Sequence, residues 1–185
     1  MIENKEIILN FLNNNLPILG LIAFILLVLV YIHLFYKFIK KKESPFLKWI
    51  AKLALPLGFF STTFATLMSL IYSDYLGEAP CGLCWLQRIF IFSQVILFAV
   101  AYIKNDLKVF TYTFWLSVVG GVIAIYHEWL QVGYNELIPC PITPGYIDCA
   151  VPTFIKYGFV TMPFLSLIIF LFLILLSIIV KKKIK

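Results

Sequence analysis

APCGLCWLQRIFIFSQVILFAVAYIK, residues 79–104, opens on two cysteines three apart and runs on as an apolar stretch whose first cation is Arg88. Pro80 has no N–H to donate, which suits a helix start and places Cys81 at or near the first turn. From Trp85 to Ile103 the run is long enough to cross a hydrocarbon core of about 30 Å at about 1.5 Å per residue. A cysteine pair therefore stands where a membrane helix begins.

Four further stretches meet the same length criterion: Leu16–Tyr36, Leu53–Tyr72, Val109–Tyr126 and Phe159–Val180. The 185 residues are 62% hydrophobic and 13% charged, with a mean hydropathy of +0.98. A soluble domain carries about 25% charged residues. Too little polar surface is left to cover a globule, so the apolar surface must meet lipid. The expected fold is an all-α membrane protein, a four-helix transmembrane bundle plus one additional N-terminal transmembrane helix. Residues 1–48 read as the N-terminal segment with that extra helix and a basic cytoplasmic loop, and 49–185 as the bundle. The first and last stretches are nearly pure Ile, Leu, Val and Phe, which suits helices facing lipid. The middle three carry polar and small residues that suit a packed interior.

Charge gives the orientation. Lys37, Lys40, Lys41, Lys42, Lys48 and Lys52 fill the first connection, Lys104 and Lys108 flank the third, and Lys181, Lys182, Lys183 and Lys185 form the tail. With alternating helices these fall on one side, and the positive-inside rule makes it cytoplasmic. Only Lys5, Arg88 and Lys156 are left for the other side. The N-terminus is expected outside and the C-terminus inside. The basic cluster follows the first apolar stretch, and Met1–Asn15 has no basic bias, so a retained anchor is expected there and not a cleaved signal peptide. Ile2, Ile7, Ile8, Phe11 and Leu12 are spaced for one face of a short interfacial helix that Asn13-Asn14-Asn15 would end.

In this orientation Cys81 and Cys84 lie in the connection 73–84 and Cys140 and Cys149 in the connection 127–158, all on the side where disulfides persist. The helix N-terminus favours a thiolate at the first pair. Arg88, four residues after Cys84, shares its helical face and would favour charge on that sulfur. A buried arginine at a helix end calls for a partner. The second pair sits in a stiff loop with Pro139, Pro141 and Thr143-Pro144-Gly145, easy to close by a reducible disulfide. A structural staple is the plainer alternative for it, and a four-cysteine zinc site is a third, for which only one C-x-x-C knuckle is present.

The run Ala79–Ile89, together with Ile125-Tyr126-His127 and Tyr157–Phe164, resembles the DsbB disulfide-bond-formation family, particularly its BdbC-like branch, over about Leu53 to Val180. The resemblance implies a membrane thiol oxidase of the bacterial cytoplasmic (inner) membrane. Its expected substrate is an extracytoplasmic DsbA-like thioredoxin-fold protein, and its expected electron acceptor a membrane quinone, ubiquinone or menaquinone. By position, Cys81 and Cys84 match the family's first pair with Cys84 nearest the quinone, and Cys140 and Cys149 match the second pair by order. Arg88 matches the arginine associated with the quinone, and His127 a histidine near its pocket.

The implied cycle starts with attack of the partner dithiol on Cys140–Cys149 at Cys140. Freed Cys149 attacks Cys81, Cys84 leaves as a thiolate, and the electrons pass to the quinone. A DsbA-like partner is already a strong oxidant at about −120 mV, so an external sink is needed. Around the site, Thr62, Thr66 and Ser69 form a polar stripe, and Gln87 and Gln94 lie on the Arg88 side of their helix. Ser117–Gly121 and Gly120–Ala124 permit close helix approach. These features also fit ordinary packing. Two rivals differ in class. An outward electron carrier needs cysteines in the membrane or facing the cytoplasm. A structural membrane protein would use both disulfides only to brace its loops. A vitamin-K-epoxide-reductase-like oxidase would carry its quinone motif on a late helix. The extra N-terminal helix has no chemical role in any of these readings.

Overall fold

The computed structural model describes residues 2–40, 44–137, 140 and 147–184. Lys41, Lys42 and Lys185 of the basic clusters, and Pro139, Pro141 and Thr143-Pro144-Gly145 of the second cysteine loop, lie outside the described residues. In chain order the helices are α1 (Ile2–Ile39), α2 (Pro45–Lys52), α3 (Ala54–Leu70), α4 (Gly82–Lys104), α5 (Val109–Gln131) and α6 (Met162–Ile184), with a π turn over Ile71–Tyr75. Five of them are long and apolar enough to cross a membrane: Asn4–Lys37, Ala54–Tyr75, Gly82–Lys104, Val109–Gln131 and Met162–Lys182. Among the described residues there is no strand, only an isolated bridge between Lys156 and Val160. The protein is an all-α membrane protein.

Several boundaries differ from the sequence expectation, each for a local reason. α1 runs unbroken through Asn13–Asn15, because the asparagine side chains find partners without leaving the helix. Asn15 donates to the Phe11 carbonyl at 2.8 Å, while Asn13 and Asn14 accept from Tyr72 and Lys156. The first connection contains α2, started by Pro45 at its first turn. Its apolar face buries Leu47 and Ala51 against Leu27, Leu175 and Ile179, and Trp49 stays exposed, as suits a helix lying at a membrane interface. α5 continues past Tyr126 because His127 and Gln131 are buried and hydrogen-bonded, to Gln87 and to the Cys149 carbonyl respectively. α6 starts at Met162 and not at Phe159. Tyr157 (φ 55°) and Gly158 (φ 79°) turn the chain in the left-handed region, where glycine carries no Cβ penalty.

The place of α6 also corrects the expectation that it faces lipid. Its membrane span is 56% buried, against 6% for α1. A helix apolar all round is at home in the middle of a bundle as well as against lipid. Phe170, Leu173 and Leu176 of α6 are fully buried, the last two packed with Ala54, Phe98 and Phe110 from α3, α4 and α5. α5 approaches α6 closely at Gly120, where a Cβ would overlap the Phe170 ring. This packing brings the ends of α3, α4, α5 and α6 together beside the cysteines.

Candidate functional site

Cys81 is the N-cap of α4, with an extended backbone (φ −75°, ψ 173°). Its Sγ accepts from the Cys84 backbone N–H at 3.3 Å and lies 3.1 Å from the Cys84 Sγ. His127 Nε2 is 3.4 Å from the same sulfur. The hydrogen bond shared with the Cys84 thiol, followed by the contact with His127, holds the Cys81 thiol well below the usual thiol range, against the opposing effect of burial. Within the pair, the stabilisation expected from the helix N-terminus falls on Cys81, which accepts the Cys84 backbone N–H.

His127 is fully buried and joins the two cysteine pairs. The Gln87 amide nitrogen stands 2.9 Å from Nδ1 and donates to it, which leaves the ring proton on Nε2. Nε2 faces both the Cys81 sulfur and the Cys149 carbonyl, the latter at 3.2 Å. Gln131, one turn on, donates to the same carbonyl at 3.4 Å. Cys140 and Cys149 are joined in a disulfide with Cα atoms 6.1 Å apart. They pack in one buried cluster with Cys81, Leu83 and Leu130. The disulfide is not exposed. Cys140 is 6% and Cys149 0% exposed, because both cysteines pack in one cluster with Leu130 near the end of α5.

A four-cysteine zinc site does not fit, since two of the thiols are spent in that disulfide. Cys81, Cys84 and His127 do hold their donor atoms within 4.8 Å of one another. Two thiolates on a tetrahedral zinc with Zn–S of about 2.3 Å would stand about 3.8 Å apart. The observed 3.1 Å is shorter than that, and brings the two sulfurs close enough to join in a disulfide.

Arg88 is buried and its partner is Ser69 at the end of α3. Nε donates to the Ser69 hydroxyl at 2.8 Å and Nη2 to the Ser69 carbonyl at 3.0 Å. The Trp85 ring lies 5.1 Å from the guanidinium carbon. These bonds use two of the five N–H donors. A cavity of about 360 Å³ collects Cys81, Cys84, Gln87, Arg88 and His127 at one end. Its apolar wall includes Ala65, Met68, Ile168 and Ile169. Gln131, which also lines the cavity, has a buried Oε1 without a partner among the described residues. A flat, lipid-soluble molecule with hydrogen-bond acceptors fits such a cavity: an apolar body, a cationic donor and a sulfur at one end.

The family model of the disulfide bond formation protein DsbB matches residues 51–180. This chain belongs to the DsbB family. The SPbeta prophage-derived disulfide bond formation protein B of Bacillus subtilis (strain 168) is 37% identical over 129 residues, 69% of this chain and 86% of the relative. Probable disulfide formation protein C of Halalkalibacterium halodurans is 31% identical over 142 residues, 76% and 96% of the two chains. Disulfide bond formation protein C of Bacillus subtilis (strain 168) is 32% identical over 123 residues, 63% and 84% of the two chains. No solved structure matches the chain. The protein is a multi-pass membrane protein of disulfide formation. α1 and α2's first turns precede the segment that the DsbB model matches.

All six residues singled out from the sequence, Cys81, Cys84, Arg88, His127, Cys140 and Cys149, gather at one end of this DsbB bundle. Of the polar stripe only Ser69 reaches the cavity. Thr62 bonds back to the Gly58 carbonyl at 2.8 Å, and Thr66 Oγ1 is buried without a partner among the described residues. Gln94 bonds Ser117 at 3.0 Å and braces α4 against α5. Gln131 escaped notice, although its place one turn after His127 was the signal. Glu128, hydrogen-bonded to Thr161, also escaped and ties α5 to the start of α6.

Proposed function

We propose that this DsbB-family protein reoxidises an extracytoplasmic DsbA-like thioredoxin-fold dithiol and delivers the electrons to a membrane quinone. In this proposal residues 49–185 are the oxidase unit and 1–48 an appended segment. The N-terminus and the cysteines face the outside of the bacterial cytoplasmic membrane, and the C-terminus faces the cytoplasm. The observation that carries the reading is the packing of both cysteine pairs in one cluster, with Cys81, Cys140 and Cys149 buried, Cys84 partly so, and His127 between Cys81 and Cys149.

A partner thiolate attacks Cys140, the less buried of the two loop cysteines, and breaks Cys140–Cys149. Cys149 then attacks Cys81 of the oxidised first pair and releases Cys84 as a thiolate. The partner's second thiol displaces Cys140, which leaves the partner oxidised. Cys140 in turn displaces Cys81 from Cys149, restoring the loop disulfide and leaving Cys81 and Cys84 as a dithiol. Two electrons and two protons have moved from the partner to the first pair. Through its hydrogen-bonded ring, His127 holds the Cys149 backbone beside Cys81 and can exchange a proton with the Cys81 sulfur. Arg88, fixed by Ser69, and Gln87 offer donors at the polar end of the cavity, and Ala65, Met68, Ile168 and Ile169 offer the apolar wall. A quinone held there supplies the two-electron, two-proton oxidation that returns Cys81 and Cys84 to the disulfide.

The order of exchange has a direct test. A Cys84→Ser, Cys140→Ser double variant keeps only Cys81 and Cys149. Mild oxidation is expected to join them, as non-reducing peptide mapping would reveal. Two thiols that remain free and alkylate independently would contradict the transfer from the loop to α4. They would favour loop-bracing disulfides instead.

A further inference from the structure

α1, which precedes the matched segment, forms part of the cavity wall. Leu16, Leu19 and Gly20 line the same cavity as Cys84 and Arg88. α1 leans on α6, where a Cβ on Gly20 would overlap Leu165, and Tyr31 donates to the Leu171 carbonyl at 2.8 Å. Its outer end is fixed by two more hydrogen bonds. Tyr72 donates to Asn13 Oδ1 at 2.9 Å, and Lys156 Nζ to Asn14 Oδ1 at 3.0 Å.

Held against α6, α1 leaves a second cavity on its α3 side. This crevice of about 400 Å³ is lined mainly by apolar side chains, among them Phe11, Leu12, Leu16 and Leu19 of α1 and Phe64 and Met68 of α3, with Asn15 its one polar member among the described residues. Leu16, Leu19, Phe64 and Met68 line both cavities. The chamber that holds Arg88 and Cys84 therefore adjoins, across these four side chains, a mostly apolar crevice between membrane-spanning helices.

We propose that the α1–α3 crevice is the subsite for the aliphatic or isoprenoid tail of the electron acceptor, and that Leu19 and Met68 make α1 and α3 select tailed over tailless quinones. This rests on the quinone reading above. Adjacency to the polar chamber across Leu16, Leu19, Phe64 and Met68, a mostly apolar lining and a position inside the spans Asn4–Lys37 and Ala54–Tyr75 favour a lipid-soluble chain over any other occupant. Each buried methylene is worth about fourfold in affinity. Blocking the crevice should therefore cost a tailed acceptor at least about tenfold.

The test uses the full-length protein in nanodiscs with a reduced thioredoxin-fold dithiol as electron donor. The probes are a geranylgeranyl-tailed naphthoquinone against menadione, and a decyl-tailed dimethoxybenzoquinone against its tailless counterpart. Leu19→Trp and Met68→Trp fill the crevice from opposite sides. Leu29→Trp, on an exposed part of α1, is the control. Two quantities are read: the KM ratio of tailed to tailless quinone, and the tailed quinone carried through purification, measured by solvent extraction. Both crevice variants are expected to raise the ratio at least tenfold and to lose the co-purifying quinone, while Leu29→Trp matches the wild type. A ratio within twofold of wild type in both crevice variants, with quinone retained, would overturn the role of α1 and leave the oxidase reading in place. A wild type that reduces neither member of either pair would overturn the oxidase reading itself, and this inference with it.

Discussion

Cys84→Ser is expected to yield a protein that oxidises a single equivalent of partner dithiol and then stops. The Cys140–Cys149 disulfide is buried but intact, and a partner dithiol can reduce it once. In the proposed relay, restoring it requires an oxidised Cys81–Cys84 pair, through which the electrons leave the loop by way of Cys81. With serine at 84 that pair cannot close, since its partner sulfur 3.1 Å away is gone. Steady-state turnover should fall on the order of 10³-fold or more, as when a covalent nucleophile is removed. Mass spectrometry after alkylation should find reduced Cys140 and Cys149 in the spent variant. Sustained turnover by Cys84→Ser would mean that the α4 pair is not on the electron path.

Arg88→Ala should act on the acceptor and not on the partner. The guanidinium is locked by Ser69 through two bonds of 2.8 and 3.0 Å, so it is preorganised where the cavity holds Cys84. A charge-assisted hydrogen bond is worth about 1.5–3 kcal/mol, or about 10- to 150-fold. The KM for quinone should rise by that factor, with the rate of the first dithiol exchange changed less than about threefold. Arg88→Lys should restore little. A lysine ammonium cannot reproduce the fork that reaches the Ser69 hydroxyl and carbonyl together. An equal loss in both half-reactions would assign Arg88 to folding instead of to acceptor binding.

How far these residues were legible depended on whether their signal was local. The Cys81–Cys84 spacing, the Arg88 offset and the apolar runs are all short-range patterns, and the structure assembles them as read. The Arg88–Ser69 pair spans two helices and has no local signature, so the stripe containing Ser69 could be noted without its partner. α2 was hidden because its lysines read as a charged connection, while its buried face amounts to little more than Leu47 and Ala51. α6 was placed against lipid because an all-apolar helix looks the same from sequence whether lipid or other helices cover it. Asn13–Asn15 looked like a helix stop. Their partners, Tyr72 and Lys156, come from distant parts of the chain, and through them the helix without an assigned role reaches the cavity.

In the proposed function both cysteine pairs lie on one electron path from dithiol to quinone. Its most direct measurement is an anaerobic mixture of the purified protein, a reduced DsbA-like dithiol and a quinone, followed for quinol and partner disulfide together. One quinol per partner disulfide, over many turnovers and without oxygen, is the expected result. No quinol, with the Cys140–Cys149 disulfide resistant to the partner, would contradict the relay and leave two disulfides that only brace the outer end of the bundle.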